Sequence, residues 1–316
     1  MAGAQALWSD SSAILAQVEA GSLSAAQALA ALRSCAEGAE NEAEARQARV
    51  KAVLEELDAL VGLREVKHLV REIAALIEVQ RWRAKEGLVS EPVGLHMIFR
   101  GNPGTGKTSV ARILGRLFKE MGVLPKGHLV EVERADLVGE YIGHTAQKTR
   151  EQIRRALGGI LFVDEAYSLA RGGEKDFGKE AIDTLVKAME DHRNELVLIL
   201  AGYTSEMERF LRVNPGLLSR FPIHLDFPDY TIAELMQIAE LMVRRRQYRL
   251  EPEARVKLQE LLWEVFRRRD QSFGNARLVR NIIERAIRLQ ALRLVKRGGA
   301  VDRQELMALR AEDLRL

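Results

Sequence analysis

Gly101-Asn102-Pro103-Gly104-Thr105-Gly106-Lys107-Thr108, GNPGTGKT, satisfies G-x-x-x-x-G-K-[ST] at every fixed position. Before it runs Leu95–Arg100, apolar and of strand length. After it Val110, Ile113, Leu114, Leu117 and Met121 recur at helical spacing. A strand, a glycine-rich loop and a helix in that order make a phosphate loop. Glycine lets the backbone curl until its N–H groups converge on phosphate oxygens, and the helix N-terminus adds partial positive charge. Lys107 is expected to reach the β- and γ-phosphates of ATP and Thr108 to offer its hydroxyl to Mg²⁺. Asn102, Pro103, Gly104, Thr105, Gly106 and Ser109 complete the predicted phosphate-binding set.

A second signal lies downstream in Gly159-Ile160-Leu161-Phe162-Val163-Asp164-Glu165. An apolar run predicts a buried strand, and its far end carries two adjacent carboxylates. Buried strands seldom end so without a reason, because unpaired buried charge is costly. Asp164 is expected to orient Mg²⁺, as the Walker-B aspartate does in phosphate-loop NTPases, and Glu165 to align the attacking water. These features together predict an ATPase.

The rest of the chain bounds the setting. Its 316 residues suffice for about two domains, and 47% hydrophobic with 29% charged residues is a globular composition. The net charge of +3 is uneven: residues 1–60 hold 4 basic and 9 acidic side chains, residues 231–316 hold 19 and 12. The C-terminal arginines are interleaved with acids and apolar helix positions, which reads as a solvated helical surface rather than a nucleic-acid footprint. Cys35 is the single cysteine, so no intrachain disulfide is possible and a reducing, cytoplasmic compartment is expected. No secretory signal and no apolar run of membrane-spanning length is present.

Strand-like runs at Leu95–Arg100, Leu129–Val132, Gly159–Val163, Leu196–Ala201 and Ile223–Phe227 alternate with helical ones. The predicted fold is α/β, with a five-stranded, mainly parallel sheet covered by helices on both faces. Residues 1–58 read as an N-terminal helical extension of unreadable role, with Ser22 or Ser24 capping a helix that Gly38 breaks. A second helix there runs through Leu60 and Val61 to Gly62. Residues 59–228 form the nucleotide-binding domain. Past Asp229 the strands stop, and Ile232–Arg246, Pro252–Arg269 and Asn275–Val295 predict a helical lid over 229–316.

From about residue 60 onward, the ordered motifs resemble the AAA+ ATPases. GHLVEVERADLVGEYIGHTAQKTR and LGGILFVDEAYSLARGGEKDFGKEAIDTLVKAMED are similar to a sporulation branch closely related to the red-type Rubisco activases. The resemblance implies a homo-oligomeric ring, expected to be a hexamer, that pulls on a protein in the mother cell of a spore-forming bacterium. It assigns Tyr141, Ile142 and Gly143 to a pore loop that grips a client of unknown identity. Thr204 lines up with the polar sensor beside the γ-phosphate, with Tyr203 as the alternative. Arg220 matches an arginine finger acting in trans on the neighbouring subunit's nucleotide, with Arg212 as the alternative. Arg277 matches a lid arginine bridging to the γ-phosphate, and Val61 and Gly62 match the adenine pocket. Rubisco activation and a nucleic-acid motor are the competing functions. The acidic-aromatic Glu140-Tyr141 segment argues against nucleic acid, which is not an expected partner.

Overall fold

Strands that are apolar on both faces need cover on both faces, and that requirement organises the chain. The computed structural model describes residues 11–90, 93–141, 143–171, 177–267 and 273–315. Its strands are β1 (Met97–Gly101), β2 (Leu129–Val132), β3 (Gly159–Val163), β4 (Leu196–Gly202) and β5 (Ile223–Phe227). They make one sheet in the order β2-β3-β4-β1-β5, and every pairing is parallel. All residues of β3 and β4 are buried, as their unbroken apolar sequences require. The phosphate loop follows β1, at the carboxyl ends of the strands, where ligands of such sheets bind.

The chain divides into two compact units between Glu55 and Glu56. The first holds α1 (Ser11–Glu19) and most of α2 (Ala25–Asp58). Ser24 stands before α2 and its Oγ accepts from Gln27 N at 3.4 Å. The expected break at Gly38 does not occur: α2 runs through it for 34 residues. One glycine costs a helix about 1 kcal/mol relative to alanine, too little to stop an Ala- and Glu-rich run of this length. Nor does the helix reach Gly62. It ends at Asp58, and Leu60 and Val61 sit in a turn with left-handed Gly62 (φ 64°) and Leu63 (φ 56°).

In the second unit, α3 (Arg64–Lys85), α4 (Lys107–Glu120), α5 (Arg134–Leu137), α6 (His144–Ala156), α7 (Gly178–Asp191), α8 (Thr204–Val213) and α9 (Pro215–Arg220) surround the sheet. One core cluster joins Leu161, Val163, Leu198 and Leu200 of the sheet to Ile153, Leu185 and Phe210 of the helices. The lid comprises α10 (Ile232–Arg245), α11 (Pro252–Arg267), α12 (Asn275–Arg297) and α13 (Arg303–Met307). The expectation that strands stop at Asp229 needs one correction. β6 (Arg249–Leu250) pairs in parallel with β7 (Ala308–Leu309), and both residues of β7 are buried. The tail returns because α12 holds it: Arg293 grips Asp313 through two bonds of 2.9 and 2.8 Å, and Gln290 Nε2 donates to Leu306 O at 2.8 Å. Among the described residues no helix is long and apolar enough to cross a membrane.

Candidate active site

The loop between β1 and α4 opens onto a cleft of about 620 Å³. Pro103, Gly104, Gly106, Lys107, Thr108 and Ser109 line one wall. Asn102 and Thr105 do not: the Asn102 amide turns to Asp229 (2.9 and 3.1 Å), and buried Thr105 donates its hydroxyl to Asn102 O at 2.8 Å. Lys107 begins α4, and its ammonium donates to Gly101 O (2.8 Å) and Asn102 O (2.9 Å). Burial holds the Lys107 pKa below the ordinary lysine value; Asp164 and Glu165 raise it and Arg277 lowers it further. An anion arriving beside it restores what burial removes.

Facing the loop are the carboxylates at the end of β3. Asp164 Oδ1 accepts from Glu165 N at 2.9 Å. Glu165 sits in the left-handed region (φ 47°, ψ 43°), a conformation that costs a non-glycine residue about 1–2 kcal/mol. The turn directs both carboxylates into the cleft. Tyr203, just past β4, donates its hydroxyl to Glu165 Oε1 at 3.5 Å. Its pKa is raised, first by burial and then by Glu165 and Asp164, so it remains a donor. Thr204 instead starts α8 and is exposed, outside the lining of the cleft. Between the two sensor candidates, geometry brings in the alternative and leaves Thr204 out. Sequence reasoning missed Tyr167, which is buried with its ring 5.7 Å from that of Tyr203; the Arg171 guanidinium lies over the Tyr167 ring at 4.6 Å.

The far end of the cleft is apolar. Ala59, Leu60 and Val61 face Ile238, Leu241 and Met242 of α10, which suits a flat base. Lys67 Nζ fixes the turn by donating to Asp58 O (3.0 Å) and Leu60 O. Gly62 stands behind this wall, where a Cβ would lie 2.5 Å from Glu234 Oε1 of the α10 cap. From α12, Arg277 lines the cleft, and so does Arg280, which helical spacing alone would have suggested.

The remaining predicted residues lie elsewhere. Arg220 ends α9, and its Nε and Nη2 both donate to Glu190 Oε1 at 3.0 Å while Nη1 donates to Gly216 O at 3.0 Å. Arg212 lies exposed on α8. Neither lines this chain's cleft. Tyr141 is 66% exposed, with its ring edge-on to His144 at 5.5 Å, and is no core aromatic. Gly143 caps α6, and Ile142 lies outside the described residues.

Residues 97–229 match the family described as ATPase family associated with various cellular activities (AAA), and residues 231–316 match the AAA lid domain. Over 272 residues the chain is 57% identical to stage V sporulation protein K of Bacillus subtilis (strain 168), covering 86% of this chain and 84% of that protein. It is 47% identical to the chloroplastic ribulose bisphosphate carboxylase/oxygenase activase of Cyanidioschyzon merolae (strain NIES-3377 / 10D), covering 86% of this chain and 93% of that one. Among solved structures, the FIGL-1 AAA domain superposes with a TM-score of 0.55 at 16% identity, over 81% of this chain and 80% of that one.

Proposed function

The chain belongs to the AAA ATPases, beside stage V sporulation protein K, and we propose that it is the motor subunit of a homo-oligomeric ring that reshapes a client protein. It is a nucleotide-binding, ATP-hydrolysing enzyme. In the proposed division of labour, Lys107 and the loop N–H groups hold the β- and γ-phosphates. Thr108 and Asp164 suit Mg²⁺, because a hydroxyl and a carboxylate face the same cleft. When bound, that ion would offset charge on the phosphates.

Glu165 positions water in line with the γ-phosphorus. The new bond joins the water oxygen to phosphorus as the bridging P–O bond to ADP breaks, and the water's proton leaves through Glu165. Tyr203, rather than Thr204, steadies Glu165 and the water. Arg277 links the lid to the γ-phosphate. Val61, with Gly62 behind it, receives the adenine. The observation that carries the reading is that Lys107, Asp164, Glu165, Tyr203 and Arg277 line one cleft while Arg220 does not. Arg220 then serves the nucleotide of the next subunit, in a ring we take to be hexameric. Exposed Tyr141 grips the client, with residues 59–228 as motor, 229–316 as lid and 1–58 as extension.

The 57% relative, named for sporulation, supports a role in spore development; we place the protein in the cytoplasm of the mother cell as part of the same proposal. The 47% relative keeps Rubisco remodelling as the second reading. Glu165→Gln tests the mechanism. It should retain ATP, accumulate an assembled ring and release phosphate about 10²-fold more slowly. Turnover at the wild-type rate overturns the assignment of Glu165. The proteins held by the ATP-loaded variant in its own cytoplasm separate the two clients.

A further inference from the structure

Three consecutive carbonyls of the phosphate loop are taken by donors from the lid side. Asn275 Nδ2 donates to Pro103 O (3.3 Å), Ala276 N to Gly104 O (3.2 Å) and Tyr230 OH to Thr105 O (3.0 Å). Asn275 is fully buried and left-handed (φ 45°). Its Nδ2 also reaches Asp229 Oδ1 (2.8 Å) and Phe273 O (3.1 Å), and its Oδ1 accepts from Tyr230 N (2.9 Å). Asp229 in turn accepts from the Asn102 side chain. Contact is close: a Cβ on Gly104 would lie 2.3 Å from Gly274 O and 2.8 Å from Arg277 N.

In a trans peptide the carbonyl of one residue and the N–H of the next point in opposite directions within one plane. Fixing the carbonyls of residues 103 and 105 outward therefore turns the N–H groups of Gly104 and Gly106, both of which line the cleft, inward, where phosphate oxygens would lie. We infer that Asn275 and Tyr230 are positioning residues for the phosphate cradle, so that the lid aims the loop amides as well as supplying Arg277. This inference rests on the nucleotide-binding reading of the cleft. The Tyr230 hydroxyl is a dependable donor, because burial, and then Glu234, push its pKa up to about 12.

The test is the affinity of the full chain for ADP and for adenosine, whose ratio isolates the phosphate contribution. Tyr230→Phe removes one hydroxyl from a buried carbonyl and should weaken ADP about fivefold, and Asn275→Ala at least about tenfold. Adenosine affinity should stay within about twofold in both, because the base wall at Leu60 and Val61 is untouched. An unchanged ADP-to-adenosine ratio in Tyr230→Phe, or equal losses for both ligands, overturns the inference and leaves only a lid-docking role. Should Asn275→Ala fail to fold, the isosteric Tyr230→Phe still decides. A wild-type chain that binds ADP no better than adenosine fails differently, because it removes the nucleotide reading and the inference together.

Discussion

The residues lining the cleft and those facing away from it are held in different ways. Lys107 is buried and tied to two carbonyls of its own loop, and Glu165 is fixed by a strained turn and by Tyr203. Arg220 is held by an exposed carboxylate, Glu190, and by one backbone carbonyl, and the Tyr141 ring stands exposed against the edge of His144, whose N–H donates to Tyr141 O at 3.1 Å. An exposed ion pair contributes about 0–1 kcal/mol, so a phosphate on a neighbouring subunit can displace Glu190 at little cost. The inner set meets in one cleft of its own chain. The outer set is tethered weakly enough to be taken by something else.

The sharpest attempt to break that contrast is Arg220→Ala. Phosphate release should fall about 10³-fold with ATP affinity preserved, because the finger acts in the transition state. Melting should move little, since the loss is an exposed ion pair and one exposed bond to Gly216 O. Mixing this variant with Glu165→Gln should restore part of the activity, because some interfaces then combine an intact finger with an intact carboxylate. No recovery on mixing would return Arg220 to its own chain. Next in size, Tyr203→Phe should slow phosphate release about three- to tenfold, the worth of an ordinary hydrogen bond, because the contact to Glu165 is long at 3.5 Å, while Thr204→Val changes it less than about twofold. Reversal of that order would restore the exposed threonine as the sensor. Smallest on hydrolysis is Tyr141→Ala: phosphate release should stay within about twofold while client remodelling is lost. A variant that still remodels its client would show the exposed ring to be incidental.

Most of the sheet is legible in the amino-acid sequence alone. β3, buried throughout, and β2 and β5, which each hold one exposed acidic residue, begin and end where the sequence places them. The failures have local causes. β4 continues to Gly202, one residue past the expected end, and side chains along a strand alternate faces. That single step bears on which of Tyr203 and Thr204 meets the cleft. The short 3₁₀ turn Ala166–Ala170 after Glu165 carries no periodic signal, so nothing in the sequence marks Tyr167. The lid donors on residues 103–105 are equally invisible there, because Asn275 and Tyr230 lie far from the loop in sequence and each resembles an ordinary cap or core residue. Helix α2 outruns expectation because one glycine has less breaking power than a sequence pattern suggests.

The left-handed backbone at Glu165 has a consequence for the durability of the whole molecule. Asparagine accepts this conformation more readily than glutamate. Glu165→Asn should therefore raise the melting temperature by about 2–4 °C while leaving the protein catalytically inert. In the proposed mechanism, heat resistance and the placing of the water therefore pull on this one residue in opposite directions.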